Sequence, residues 1–120
     1  MKRTDVRIGN YIEVENLKTG RKEAAPVNQM MLINWNEGET YRYHPLRITN
    51  EWLERFGFEL KETYYSKTYH GNKYYVSTMN SMECLIITND ETQIAKHVLY
   101  IHHLQNIIHA LTGEEITADL

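Results

Sequence analysis

A chain of 120 residues with 42% hydrophobic and 24% charged side chains has ordinary globular make-up, which argues against disorder and allows one domain, or two small lobes on a shared core. The net charge is −3, so nothing favours broad electrostatic binding of a phosphate backbone. The single cysteine, Cys84, excludes an internal disulfide and points to a reducing compartment.

The start, "MKRTDVRIGNYIEV", is basic, but no apolar signal core follows it. No apolar run approaches the length of a membrane span. The expectation is a soluble protein of the cytoplasm, with no membrane partner.

Taken in chain order, "VRIGNYIEVE" alternates, with Val6, Ile8, Ile12 and Val14 facing inward and Gly9-Asn10 as a bend. "LKTGRKEA" is a turn built on Gly20. "QMMLINW" is a short apolar run that reads as a buried strand. "NEGE" is a turn, and "TYRYH" alternates again. The first ~45 residues therefore suggest a small β-meander, with an SH3-like half-barrel as one form it could take.

"PLRITNEWLERFGFEL" changes period. Thr49 caps a short helix, Glu51 sits in its first turn and Gly57 stops it. Trp52, Leu53 and Phe56 make one apolar stripe. The chain then returns to strands. A Gly71-Asn72 turn would pair Tyr69 with Tyr74, Lys67 with Val76 and Tyr65 with Thr78. "MECLIIT" reads as a more buried strand that ends at Asn89-Asp90, and "TQIAKHVLYI" as a further strand running into a final helix. The whole is one domain over 1–120 of the α+β class: β-meander, short helix, antiparallel β-meander, C-terminal helix.

The final segment, "YIHHLQNIIHALTGEEI", holds three histidines. At about 100° per residue, Ile101, Leu104, Ile107, Ile108 and Leu111 form a core stripe. His102 and His109 fall opposite, with Gln105 and Asn106, and His103 lies at the border. Zinc-binding histidines on one helix usually stand at i and i+4. His102 and His109 stand seven apart, about 10.5 Å of rise. The pattern favours an amphipathic core helix ended by Gly113, with no metal and no cofactor.

No glycine-rich phosphate loop, paired-cysteine motif or local catalytic signature accompanies it. Cys84 sits in an apolar strand with nothing basic beside it in sequence, as a buried inert thiol would. Glu13 and Glu15 share a strand face, which reads as a solvated edge. The sequence therefore nominates no catalytic residue and describes a non-enzyme.

Nine tyrosines against two phenylalanines is the one unusual feature of the composition. The hairpin gathers Tyr65, Lys67, Tyr69 and Tyr74 on one face, the best candidate for a binding surface. Three uses stay open for it. It can pack on the Trp52 helix, meet a protein partner, or stack single-stranded bases.

Three stretches carry a resemblance. "RIGNYI", "ITNEWLERFGF" and "YIHHLQNIIHALTGEEI" are similar, in that order, to a family of small uncharacterised proteins of phages and integrated bacterial mobile elements. Those proteins open with an Arg-Ile-Gly-Asn strand, carry a "PLTEEWLLKFGF"-like helix and close with a "YVHQLQNLYFALTGEEL"-like helix. The likeness covers about a third of the chain. Here His103 and His109 stand where glutamine and an aromatic are usual, which makes the outer side of the helix more polar. The resemblance brings no catalytic residues. It implies an accessory protein working in the bacterial host cytoplasm by binding a host protein or ribonucleoprotein, such as an inhibitor of a defence effector of the CRISPR type. The other reading is a small nucleic-acid-binding module using the tyrosine face.

Overall fold

In the computed structural model the chain is described over residues 1–35, 40–61, 64–80, 83–88 and 93–118, with side chains outside 78–97. The expected turns at 36–39 and at Asn89-Asp90, and the side chains of Cys84, Leu85, Ile86 and Ile87, lie outside the described residues. A short 3-10 turn, Arg3–Asp5, leads into strands β1 (Tyr11–Asn16) and β2 (Lys22–Pro26), helix α1 (Gln29–Ile33), strand β3 (Tyr41–His44) and helix α2 (Asn50–Arg55). Strands β4 (Glu59–Lys61), β5 (Tyr64–Tyr69), β6 (Asn72–Asn80), β7 (Glu83–Thr88) and β8 (Gln93–Val98) follow, and helix α3 (Ile101–Thr112) closes the chain. The class is α+β.

Two antiparallel sheets form, of three strands in the order β2-β1-β3 and of five in the order β4-β5-β6-β7-β8. The larger sheet is the expected meander. The smaller one is not, because β3 returns to pair with β1 rather than β2. The reason lies at "QMMLI", which is helix α1 and not a buried strand. Asn28 caps it, its side chain accepting from the Met31 backbone N–H at 2.9 Å. A five-residue apolar run fits either period, and the cap decides. The bend at Gly9 also falls earlier than the strand, so Ile8 points to solvent while Val6, Ile12 and Val14 are buried.

Helix α2 forms as its sequence dictates. The Thr49 hydroxyl accepts from the Trp52 N–H at 3.2 Å, and Gly57 ends the turn at φ 86°. Its apolar side meets β1, where Tyr11, Trp52 and Phe56 form a ring cluster with centroids 5.5–5.7 Å apart. Leu53, Phe58, Val76, Val98, Ile101, Leu104 and Ile108 complete this core. A second, smaller cluster of Val6, Ile12, Val14 and Val27 lies within the N-terminal sheet.

The buried residues of α3 are Ile101, His102, Leu104, Gln105 and Ile108. That arc is rotated by roughly 80° from the expected stripe. Leu111 is exposed and Ile107 only half-buried, whereas His102 and Gln105, expected at the surface, are buried. The rotation follows from two contacts: α3 packs on the aromatic core with one flank and on the turn before β1 with the other.

Candidate functional site

The hairpin face nominated by the sequence is real, but it is covered. Tyr65, Tyr69 and Tyr74 are 3%, 8% and 6% exposed and belong to the aromatic core. Of the three uses open to this face, packing in the core beside the Trp52 helix is the one its burial fits, and it is not an open binding surface. The turn also differs. His70 (φ 52°) and Gly71 (φ 81°) both take left-handed conformations, as a two-residue hairpin turn of this hand requires. Tyr69 therefore pairs with Asn72, Lys67 with Tyr74 and Tyr65 with Val76. The register is displaced by two residues, which leaves every side chain on its expected face because the pleat repeats every two.

Burial sets the chemistry of these groups. It pushes the Tyr69 hydroxyl up to about 12, helped by the Glu114 carboxylate, and that hydroxyl has no hydrogen-bond partner. Burial and then Glu54 raise Tyr65, whose hydroxyl lies 3.3 Å from Glu54 Oε1. Lys67 is half-buried, which lowers its pKa, and its Nζ donates to the Phe56 carbonyl at 2.6 Å. A Cβ on Gly57 would stand 3.2 Å from that ammonium, so the close approach suits glycine.

The sequence reading missed a polar clasp between α3 and the turn before β1. Gln105 is fully buried and uses its whole amide. Its Oε1 accepts from the Tyr11 N–H at 2.8 Å and from Asn10 Nδ2 at 3.5 Å. Its Nε2 donates to the Gly9 and Ile116 carbonyls, each at 3.1 Å. Asn106 Oδ1 accepts from Arg7 Nε at 2.8 Å and from Asn10 Nδ2 at 2.9 Å. Arg7 also pairs with Glu115 at 2.6 Å. The Tyr11 hydroxyl donates to the Ala118 carbonyl and accepts from the Ala118 N–H. Residues of "RIGNYI", "ITNEWLERFGF" and "YIHHLQNIIHALTGEEI" thus meet in one network of rings and amides. A buried amide can do this because each of its donors and acceptors is satisfied.

The histidines are not drawn together. His109 faces Glu115 at 3.6 Å, and His70 faces Glu114 at 3.1 Å. His102 stacks on Tyr100 and tilts against His103, with Nδ1 buried and unpartnered. Burial first, and His103 second, bring its pKa down to about 4. His44 Nε2 lies 2.9 Å from Glu15 Oε1 across β1 and β3, a hydrogen bond that lowers the carboxyl. Among the described residues no three metal-ligating side chains cluster, and no helix is long and apolar enough to cross a membrane.

Among the described residues, a surface on each sheet remains open. Between α1 and the smaller sheet runs a groove of about 560 Å³, lined by Val14, Ala25, Met30, Met31, Tyr41 and Tyr43 among others. Met30, which lines it, is 62% exposed, and Trp35 stacks on Tyr43 at 4.5 Å nearby; Ile33, 61% exposed, lines a separate hollow on α1 with Arg3, Val6, Gln29 and Leu32. The other surface is the outer face of β4-β5-β6. There Tyr64 and Tyr75 meet edge to face at 6.2 Å, and a hollow of about 300 Å³ is lined by Lys61, Lys67, Lys73, Ser66 and Thr68 with Glu59 and Gly57. Compared with protein-family models, with curated proteins and with solved structures, the chain matches none.

Proposed function

We propose that this chain is a non-enzymatic accessory protein of a phage or mobile element, acting in the bacterial host cytoplasm by binding a host macromolecule. An inhibitor of a defence effector of the CRISPR type is the form of that role we favour. The setting rests on the resemblance of the three segments. The mode of action rests on one observation, the groove beside α1. Monomeric proteins rarely leave large apolar side chains together at the surface unless something binds there. Here Met30 and Tyr41 in the groove, and Ile33 beside it on α1, are exposed while the aromatic core is already complete without them. Methionine adapts its shape to a partner, which suits a groove of this kind. The partner surface assigned to the groove is therefore apolar and protein-like.

The test is to express the chain in bacteria that carry a defence effector and to measure phage plating, across a panel of effectors. Plating rises with the parent chain for the effector it blocks, and Met30→Asp with Ile33→Asp abolishes the rise. In purified form the inhibition saturates at a fixed molar ratio to the effector. Full inhibition at far substoichiometric amounts would point to turnover and overturn the non-enzymatic reading. An unchanged plating count for every effector would overturn the inhibitor reading.

A further inference from the structure

We propose that the outer face of β4-β5-β6 binds single-stranded nucleic acid, with Tyr64 and Tyr75 as the base platform and Lys61 and Lys73 as phosphate contacts. This site lies apart from the groove and does not depend on it.

Register carries the placement. Lys61 pairs with Tyr64, which pairs with Ser77, and Ser66 pairs with Tyr75 in the next row. Thr68 pairs with Lys73 in the row after that. Opposed residues in an antiparallel ladder point to one face. The rows therefore set lysine, tyrosine, tyrosine and lysine along one surface, over ~13 Å from the first row to the third. The alternate residues Tyr65, Tyr69, Tyr74 and Val76 belong to the apolar core, whereas on this face the two small residues between the rings, Ser66 and Ser77, are covered and Tyr64 is exposed. Tyr64 is exposed, and an edge-to-face pair covers at most one face of one of its two rings, so ring surface stays open to a base.

Charge carries the choice of ligand. The chain as a whole is negative, yet the hollow beside the tyrosines sets three lysines against one carboxylate, Glu59. Glu59 stands 3.7 Å from Lys61 and offsets part of its charge. Lys73 makes no ion pair among the described residues, and Lys67 is held at the edge of the hollow by the Phe56 carbonyl. Aromatic rings beside cations on an open sheet suit unstacked bases and their phosphates. A duplex hides its base faces, and no element described here projects from this sheet into a groove.

The measurement is fluorescence anisotropy with short labelled oligo(dT), oligo(rU) and a duplex of equal length, at low and at physiological salt. The full chain binds the single strands and not the duplex. The affinity falls with salt with a logarithmic slope of about −1.4, the value for two phosphate contacts on a single strand. Tyr64→Leu weakens binding roughly tenfold, in the range of one lost base stack, and Lys73→Glu weakens it further. Met30→Asp leaves it unchanged. Tighter binding of oligo(rU) names RNA as the ligand, and of oligo(dT) names DNA. Equal binding of duplex and single strands, no salt dependence, or parent affinity in both Tyr64→Leu and Lys73→Glu overturns the proposal. Both side chains lie off the core, so melting of each variant is expected at the parent temperature. Should Tyr64→Leu melt early, Lys73→Glu decides alone.

Discussion

The clasp around Gln105 and the groove beside α1 are opposites. In the clasp a fully buried amide meets two carbonyls, a backbone N–H and a second amide at hydrogen-bonding distance. Beside α1, a five-residue helix leaves Met30 and Ile33 mostly in water. The difference separates a region that holds this fold from one whose apolar side chains the fold leaves unused.

The largest expected effect lies in the clasp. Gln105→Leu fills the same volume but orphans the Tyr11 N–H and the Gly9 and Ile116 carbonyls. Each buried unsatisfied group costs about 1–3 kcal/mol, so the total is roughly 4 kcal/mol. Thermal unfolding should fall by about 15 °C. A variant that melts within a few degrees of the parent would show that the clasp is decoration and that the aromatic core suffices.

Next in size is the phase of α3. Leu104 is fully buried and Leu111 exposed, so Leu104→Ala costs ~2–5 kcal/mol and Leu111→Ala less than about 1 kcal/mol. Urea titration of the pair measures both. Equal losses would restore the phase suggested by the hydrophobic pattern alone.

That phase shows where sequence reading stops. Helix α2 was legible because its signals are local: a Thr49 cap, a stripe at Trp52 and Phe56, and a stop at Gly57. The hairpin's two faces were legible because alternation survives a two-residue slip. Which face is covered was not, since both carry tyrosines and polar groups in similar number. Gln105 was placed outside because a lone helix shows only one apolar stripe. Its second contact comes from the turn before β1, about a hundred residues away in the chain. The α1 run reads as a strand from its apolar residues alone, and its local sign of a helix is the cap residue Asn28. The surface that the tyrosines leave open is Tyr64 and Tyr75, on the same hairpin and the opposite side from the residues first nominated.

The clasp side also titrates. His102 has its folded pKa lowered to about 4 from an ordinary value near 6.5. The unfolded chain therefore binds more protons than the folded one between these values, and stability falls as pH drops through that window. Below about 4 the loss is complete, at ~3 kcal/mol. Asp5 opposes the effect, while His103 and the N-terminal ammonium add to it. His102→Leu removes this titration. The difference between parent and variant stabilities, followed by urea titration from neutral pH to pH ~4, should therefore change by about that amount. A constant difference would mean that the ring is solvated and that α3 is less tightly seated than its packing indicates.

The smallest effect on stability belongs to the groove, and there it is the informative one. Met30→Asp and Ile33→Asp exchange exposed apolar side chains for charges on the rim of a helix that contributes no residue to the aromatic core. Exposed substitutions of this kind usually change stability by no more than ~0.5 kcal/mol. The same charges placed in an apolar interface would remain partly desolvated and unpaired, which costs several times as much. The two variants should therefore melt with the parent and lose the partner. Calorimetric melting and partner binding on the same samples read both quantities. A double variant that melts several degrees early would mean that α1 is a structural cover for Val14 and Val27, and the distinction between a holding region and a working region would then fail on the side where it predicts function.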